Sequence, residues 1–288
     1  MKRIEILSTP YEEGIYWRKG AKKGPEEILR KFRETREYSI YNDNSIDKES
    51  ISYVNDLYLS PYDNESALKN IENSILNSLN NNNFPICLGG DHSITYAIVK
   101  AFSQFYGKGD FGIIQFDSHT DTFDDIDGFK YHHGATFRNI VEEGYVKEEN
   151  IIQFGIRGQV RKDSLHLLYS KKRKTVTMKE LVRSNFDFLS FIENKSIPYY
   201  VSFDIDFIDP AFAPGTGTPV PGGASSFDTL KIINHLTNLN IIGFDLVEVS
   251  PQYDNSEITV LLAANIIHEL ITSYTVEDDK EVLKEKFI

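Results

Sequence analysis

The stretch FDSHTDTF (116–123) sets Asp117, His119 and Asp121 two residues apart, directly after the apolar run FGIIQF (111–116). Carboxylates and imidazoles are costly to bury alone, because they lose hydration or must shift their pKa to stay neutral. Three other apolar runs end in the same way. FPICL (84–88) leads into GGDHS with His92, YYVSF into DID with Asp204 and Asp206, and IIGF into DLVE with Glu248. Gathered in one crevice, so many acids repel one another strongly, and multivalent cations remove that repulsion. Asp117, Asp121, Asp204 and Asp206 offer oxygens, and His92 and His119 offer nitrogens. Two divalent ions balance the charge of those four carboxylates. Oxygen-rich ligation with two imidazoles suits Mn²⁺ better than structural Zn²⁺. Two such ions lying close together lower the pKa of a shared water toward neutrality. In an extended segment, alternation also points i, i+2 and i+4 the same way.

Each motif alone has an ordinary explanation. Asp caps helices and turns, and GGDHS reads equally as a turn with Ser93 capping a helix. His166, His235 and His268 lie in helical patterns and are read as structural. Recurrence after four separate apolar runs is what points to a site.

Those runs must be strands. FPICL, FGIIQF, IIQFGI (151–156), YYVSFDI (199–205) and IIGFDLVEV (241–249) are nearly continuous in apolar residues, as in strands buried on both faces of a parallel sheet. Helical patterns alternate with them. Pro25 in GPEEILRKF stands at a first helical position, with Ile28, Leu29 and Phe32 on one face. NESALKNIENSILNSL repeats Leu68, Ile71, Ile75 and Leu79 at helical spacing. Thr177 with Glu180, and Asp254 with Glu257, read as capping boxes. The alternation predicts an α/β fold with a mostly parallel sheet, residues 1–288 forming one domain. In open parallel sheets, ligands bind beyond the carboxyl ends of the strands, so all four acid-bearing ends fall on one edge. Segment 35–62 is the least legible part.

Composition limits the partners. The formal charge is −12, which argues against nucleic acid and anionic membranes and is compatible with a cationic substrate. Cys87 is the single cysteine, so no intrachain disulfide forms. The N-terminus has no apolar signal-like core, and ITVLLAANII (258–267) is about half a membrane span. The chain reads as a soluble, cytoplasmic protein.

GGDHS, FDSHTD, HHGATF, SFDIDFIDPAFAPGTGTPVPGG and GFDLVEVSP together resemble the signature blocks of the ureohydrolases, the family of arginases and agmatinases. They span 89–251, and GIYWRKGAKKGPEEILR (14–30) resembles the N-terminal block. The resemblance implies a three-layer α/β fold around an eight-stranded, mostly parallel sheet, with two Mn²⁺ per subunit. It implies His92, Asp117, Asp121 and Asp204 on one metal and His119, Asp117, Asp204 and Asp206 on the other, with Asp117 and Asp204 bridging. It places His133 at a histidine for substrate binding and proton shuttling, His132 as non-catalytic, and Glu248 as the acid that pairs with a guanidinium. Asp121 would carry the proton to the leaving amine. The glycines and prolines of 214–223 would shape a turn near the site. Family members commonly form trimers or hexamers. Ser118 stands where the family mostly has Ala, and its side chain is expected to turn away from the metals. HGATF replaces the more usual HGTxF.

The implied reaction is hydrolysis of a linear amidine, releasing urea and an amine. Agmatine is the preferred substrate, because Asp124, Asp125 and Asp127 would repel a carboxylate tail and tolerate an ammonium. Arginine, guanidinobutyrate and formimidoylglutamate are alternatives; Arg157, Arg161 and Lys162 are placed to receive a carboxylate. A dinuclear phosphoesterase, or a non-catalytic relative, is the reading from another class.

Overall fold

The computed structural model describes residues 2–125, 128–160, 162, 165, 170 and 172–274. In chain order the strands are β1 (Arg3–Thr9), a short antiparallel pair β2 (Tyr38–Ser39) and β3 (Asn44–Ser45), β4 (Ser52–Val54), β5 (Asn83–Gly89), β6 (Gly112–Phe116), β7 (Ile151–Ile156), β8 (Lys174–Thr177), β9 (Tyr199–Asp204) and β10 (Ile241–Val247). The main sheet has eight strands in the order β4-β1-β5-β10-β9-β6-β7-β8. Its pairings are all parallel, where the sequence suggested mostly parallel. Every residue of β5, β6, β7, β9 and β10 is buried. Both of their faces are covered, which explains why these strands are apolar runs rather than alternations. The acid-bearing strands β5, β10, β9 and β6 are adjacent at the middle of the sheet, so their carboxyl ends share one crevice.

The helices are α1 (Gly24–Glu34), α2 (Asn64–Asn80), α3 (Ile94–Tyr106), α4 (Thr136–Glu142), α5 (Met178–Arg183), α6 (Ser226–His235) and α7 (Ile258–Tyr274). Ile28, Leu29 and Phe32 of α1 pack with α6 and α7 in one core. Leu68, Ile71, Ile75 and Leu79 of α2 pack with α3 and α4 in a second core on the other face. The result is helix, sheet, helix. Helix α7 is apolar on nearly all sides because it lies between α1 and α6. None of the helices is long and apolar enough to cross a membrane, among the described residues.

Thr177 and Glu180 form the expected capping box at α5. The box expected of Asp254 and Glu257 does not form. Asp254 alone accepts from the Ser256 and Thr259 amides, at 2.9 and 2.7 Å, while Glu257 turns out to Arg30 and Lys31. His235 is exposed at the end of α6, and His268 is buried in α7 with Nε2 2.8 Å from the Arg36 carbonyl, both on helices as the pattern predicts. His166, Asp127 and Arg161 lie outside the described residues.

Candidate active site

His92 follows β5, Asp117 to Asp121 follow β6, Asp204 ends β9 with Asp206 in the 3-10 turn after it, and Glu248 follows β10. All but His119 are buried. The structure brings the six proposed metal ligands together in two neighbouring groups. His92 Nδ1 lies 2.9 Å from Asp121, 3.2 Å from Asp117 and 3.3 Å from Asp204. His119 Nδ1 lies 2.9 Å from Asp206 and 3.6 Å from Asp117. Asp117 belongs to both groups, one oxygen toward each. Asp204 lies on the His92 side, and its Oδ1 accepts from the Asp206 amide at 2.8 Å.

The DSHTD segment is not a continuing strand, in contrast to the expectation that alternation aims its ligands. Asp117 caps its own turn by accepting from the His119 amide at 2.6 Å, and Asp121 adopts φ +49°. The turn sends Asp121 toward His92 and His119 toward Asp206. Ser118 also departs from expectation. Its hydroxyl lies 3.0 Å from His119 Nδ1, and its amide donates to Asp206 at 3.0 Å.

The donor set fits a pair of cations. Ser202 Oγ donates to Asp245 Oδ1 at 2.8 Å, so it accepts from His92 Nε2 at 2.9 Å. The proton is thereby placed on Nε2. Nδ1 is buried, faces three carboxylates and makes no well-aligned hydrogen bond with any. A nitrogen lone pair aimed into carboxylate oxygens is stable only with positive charge between them. The electrostatics agree. Without metal, a proton on Nδ1 supplies that charge: burial opposes protonation of His92, yet Asp117, Asp121 and Asp204 push its pKa well up. Burial and the neighbouring carboxylates Asp206 and Asp117 push Asp204 well above the usual carboxylate range.

Beneath the ligands lies a buried polar row that spacing alone did not reveal. Gln153, Gln115, Ser202 and Asp245 sit in register on β7, β6, β9 and β10. Gln153 donates to the Gln115 carbonyl and, at 2.7 Å, to the Thr120 carbonyl. Gln115 donates to Asp117 Oδ2 at 2.6 Å and to the His119 carbonyl at 3.2 Å. Asp245 also accepts from Thr95, Tyr200 and the Phe203 amide. The row fixes the rotamers of Asp117 and His92. Its signal in the sequence is the tetrapeptide IIQF, present at both 113–116 and 151–154 with a glutamine intruding in each apolar run.

Glu248 and His133 sit beside the two groups. Glu248 adopts φ +63°, held by its amide donating to the Gly90 carbonyl at 2.8 Å. Such backbone costs of order 1 kcal/mol or more and concentrates at functional sites. The His92 amide and His133 Nδ1 meet Glu248 Oε1 at 2.9 and 3.1 Å, while Oε2 is turned toward Gly217. A Cβ at Gly217 would stand 4.0 Å from that oxygen and 3.3 Å from the Arg18 carbonyl, so the 214–223 loop does line this place. Burial works against His133 protonation, but Glu248 wins and raises it to about 9. His132 is buried and bonds the Asp124 carbonyl at 2.9 Å, away from these groups.

Asp91 is a further residue that the sequence reading passed over. Its Oδ2 accepts from the Gly14 amide at 2.7 Å, and burial with the Glu248 charge raises it to about 7. It anchors the N-terminal loop over the site. Gly90 makes this possible, since a Cβ there would meet the Tyr11 carbonyl at 1.8 Å.

Among the described residues of the two loops read as contacts for a substrate tail, Asp124, Asp125 and Arg157 have other partners. Asp124 and Asp125 face Arg138 at 3.6 and 3.0 Å and are exposed to solvent. Arg157 spends its donors on the carbonyls of Asp206 (2.6 Å) and Val220 (2.8 Å), stapling the loop beyond β9.

A parallel sheet whose central strand ends gather carboxylates and imidazoles is the frame of the arginase fold, and the Arginase family model matches residues 2–272, so the chain belongs to the arginase family. It is therefore a hydrolase acting on amidino compounds. It is 36% identical over 270 residues to an agmatinase of Neisseria meningitidis serogroup A, covering 92% of this chain and 85% of that one. It is 34% identical over 272 residues to a guanidinobutyrase of Pseudomonas aeruginosa, covering 92% and 84%. The solved proclavaminate amidino hydrolase of Streptomyces clavuligerus superposes with a TM-score of 0.83 at 32% identity, covering 95% of this chain and 92% of that one.

Proposed function

We propose that the protein hydrolyses agmatine to putrescine and urea, using two Mn²⁺ held by His92, Asp117, Asp121 and Asp204 and by His119, Asp117, Asp204 and Asp206. Bound there, the ions would supply Lewis-acid charge and an activated water at neutral pH. The observation that carries the reading is Glu248, a buried carboxylate in a strained conformation with both donors on Oε1 and Oε2 turned toward Gly217. A guanidinium is planar, cationic and rich in donors, which is what such an oxygen binds. A phosphoester would be repelled there. Glu248 orients the guanidinium carbon toward the ligand groups. Asp121 takes the proton lost by the attacking water and passes it to the departing amine nitrogen. His133, charged beside Glu248, relays protons at the mouth.

Agmatine is preferred among guanidines for two reasons. An agmatinase is among the relatives at 36% identity, and Arg157 is occupied by backbone carbonyls and is not free to receive a carboxylate tail. On the same reading, the protein works as a cytoplasmic homo-oligomer, a trimer or hexamer, in polyamine synthesis. The deciding experiment is urea release from agmatine, arginine, guanidinobutyrate and formimidoylglutamate-type amidines with added Mn²⁺. Greater turnover of a carboxylate-tailed compound than of agmatine would refute the choice of substrate.

A further inference from the structure

Two site groups reach solvent. The side chains of His119 and His133 are 32% and 13% exposed, whereas the other ligands and Glu248 are enclosed. These two histidines therefore mark the mouth. Tyr16 stands on it. Its ring centroid lies 5.3 Å from that of His133 and 6.0 Å from that of His132, in edge contacts, and the residue remains 61% exposed.

An exposed tyrosine is ordinarily mobile, but this one is carried on a loop pinned at both ends. The Gly14 amide donates to Asp91 at 2.7 Å, and the Gly14 carbonyl accepts from the His133 amide at 3.1 Å. Farther on, the Gly20 amide donates to Glu12 at 2.7 Å, the Lys19 carbonyl accepts from Gln252 and Tyr253, and Arg18 stacks over Tyr253 at 4.1 Å. The loop is tied at both ends, as the positioning of a recognition surface requires. Meanwhile, Asp124, Asp125 and Arg157 are committed to other partners.

We infer that Tyr16 is a specificity-determining residue: its ring face receives the distal cation of the substrate as the tail leaves Glu248 through the mouth. This rests on the reading of the site as an agmatine hydrolase. A cation over a tyrosine face is held without a counter-charge, so a diamine-type tail is favoured while a carboxylate, repelled by the same face, is not.

The test uses the full-length Mn²⁺-loaded protein and Tyr16→Phe, Tyr16→Leu and Tyr16→Ala, with agmatine and 1-butylguanidine, which lacks the distal charge. The strength of such contacts corresponds to roughly 3- to 30-fold. Tyr16→Leu and Tyr16→Ala should lower kcat/KM for agmatine by about that factor, mainly through KM, and change butylguanidine by less than about 3-fold. Tyr16→Phe should retain the agmatine preference. Trp17, the single tryptophan, is 57% exposed next door and gives a readout without turnover. Butane-1,4-diamine should perturb its fluorescence, with Kd rising by a similar factor in Tyr16→Leu. An unchanged agmatine-to-butylguanidine ratio in Tyr16→Leu overturns the inference, as does an equal fall for both substrates, which would show that Tyr16 only supports His133. Failure of the wild-type protein to release urea from any guanidine instead overturns the functional reading and this inference with it.

Discussion

Glu248→Gln separates holding the substrate from holding metal. The glutamine keeps the shape, and its carbonyl can still accept from the His92 amide and from His133, now at 2.9 and 3.1 Å on Oε1. The amide nitrogen then takes the place of Oε2 beside Gly217, so two N–H donors face a guanidinium that offers only donors. Hydrogen bonds to a charged group contribute about 1.5–3 kcal/mol each. Losing them, with unpaired donors left behind, removes at least ~3 kcal/mol of transition-state stabilisation. That corresponds to a fall in kcat/KM of ~10²-fold or more. Glu248 is not among the proposed ligands, so Mn²⁺ content should survive. Loss of its charge also withdraws what raises His133, so the pH profile of kcat should move to lower pH. Steady-state urea release with elemental analysis on the same samples makes the measurement. Loss of metal, or a kcat/KM within about 3-fold of wild type, refutes the assignment.

Three further outcomes are expected. Asp204→Ala should bind fewer than two Mn²⁺ per chain after loading and lose activity in step, since Asp204 faces His92 and caps Asp206; elemental analysis showing full occupancy would remove it from the ligand set. In the metal-free protein, His133 is raised from 6.5 to about 9, so its contribution to stability is complete below ~6.5 and disappears as pH rises through about 9; denaturant titrations should show this decline in the wild type and a flatter one in His133→Asn. Asp124→Asn with Asp125→Asn should leave the preference for agmatine over guanidinobutyrate within about 2-fold, because both acids answer to Arg138; a larger narrowing in competition assays would return them to the substrate.

The centre of the sheet was legible in the sequence and its margins were not. β5, β6, β7, β9 and β10 are enclosed on both faces, so burial alone writes their runs. β1 begins with the exposed Arg3 and the half-buried Glu5, and the edge strands β4 and β8 are the short SYV and KTVT, mostly half-buried. Their few apolar residues, such as Ile6 and Leu7 in β1 and Val176 in β8, do not form a run that announces a strand. The residue types at the site were legible because strand ends in a parallel sheet must converge. What those residues touch was not. Asp91, Asp245, Gln115 and Tyr16 act through contacts made across strands and loops far apart in the chain, which spacing does not encode. The partner of the acidic loop was hidden for the same reason, since Arg138 lies on α4.

The polar row under the ligands has a consequence for how the sheet assembles. A strand shifted by one residue turns its side chains to the opposite face. Such a shift of β6 against β7 would part Gln115 from Gln153 and leave two amides buried among phenylalanines and isoleucines. Unpaired groups of this kind cost about 1–3 kcal/mol apiece. Four apolar strands of similar composition could otherwise pair in several alignments at little difference in energy. The amides, Ser202 and Asp245 thus act as a key for alignment: the interactions that aim Asp117 and His92 are available in one register, and a chain that has mispaired its central strands gives up both that stability and the means to hold a metal.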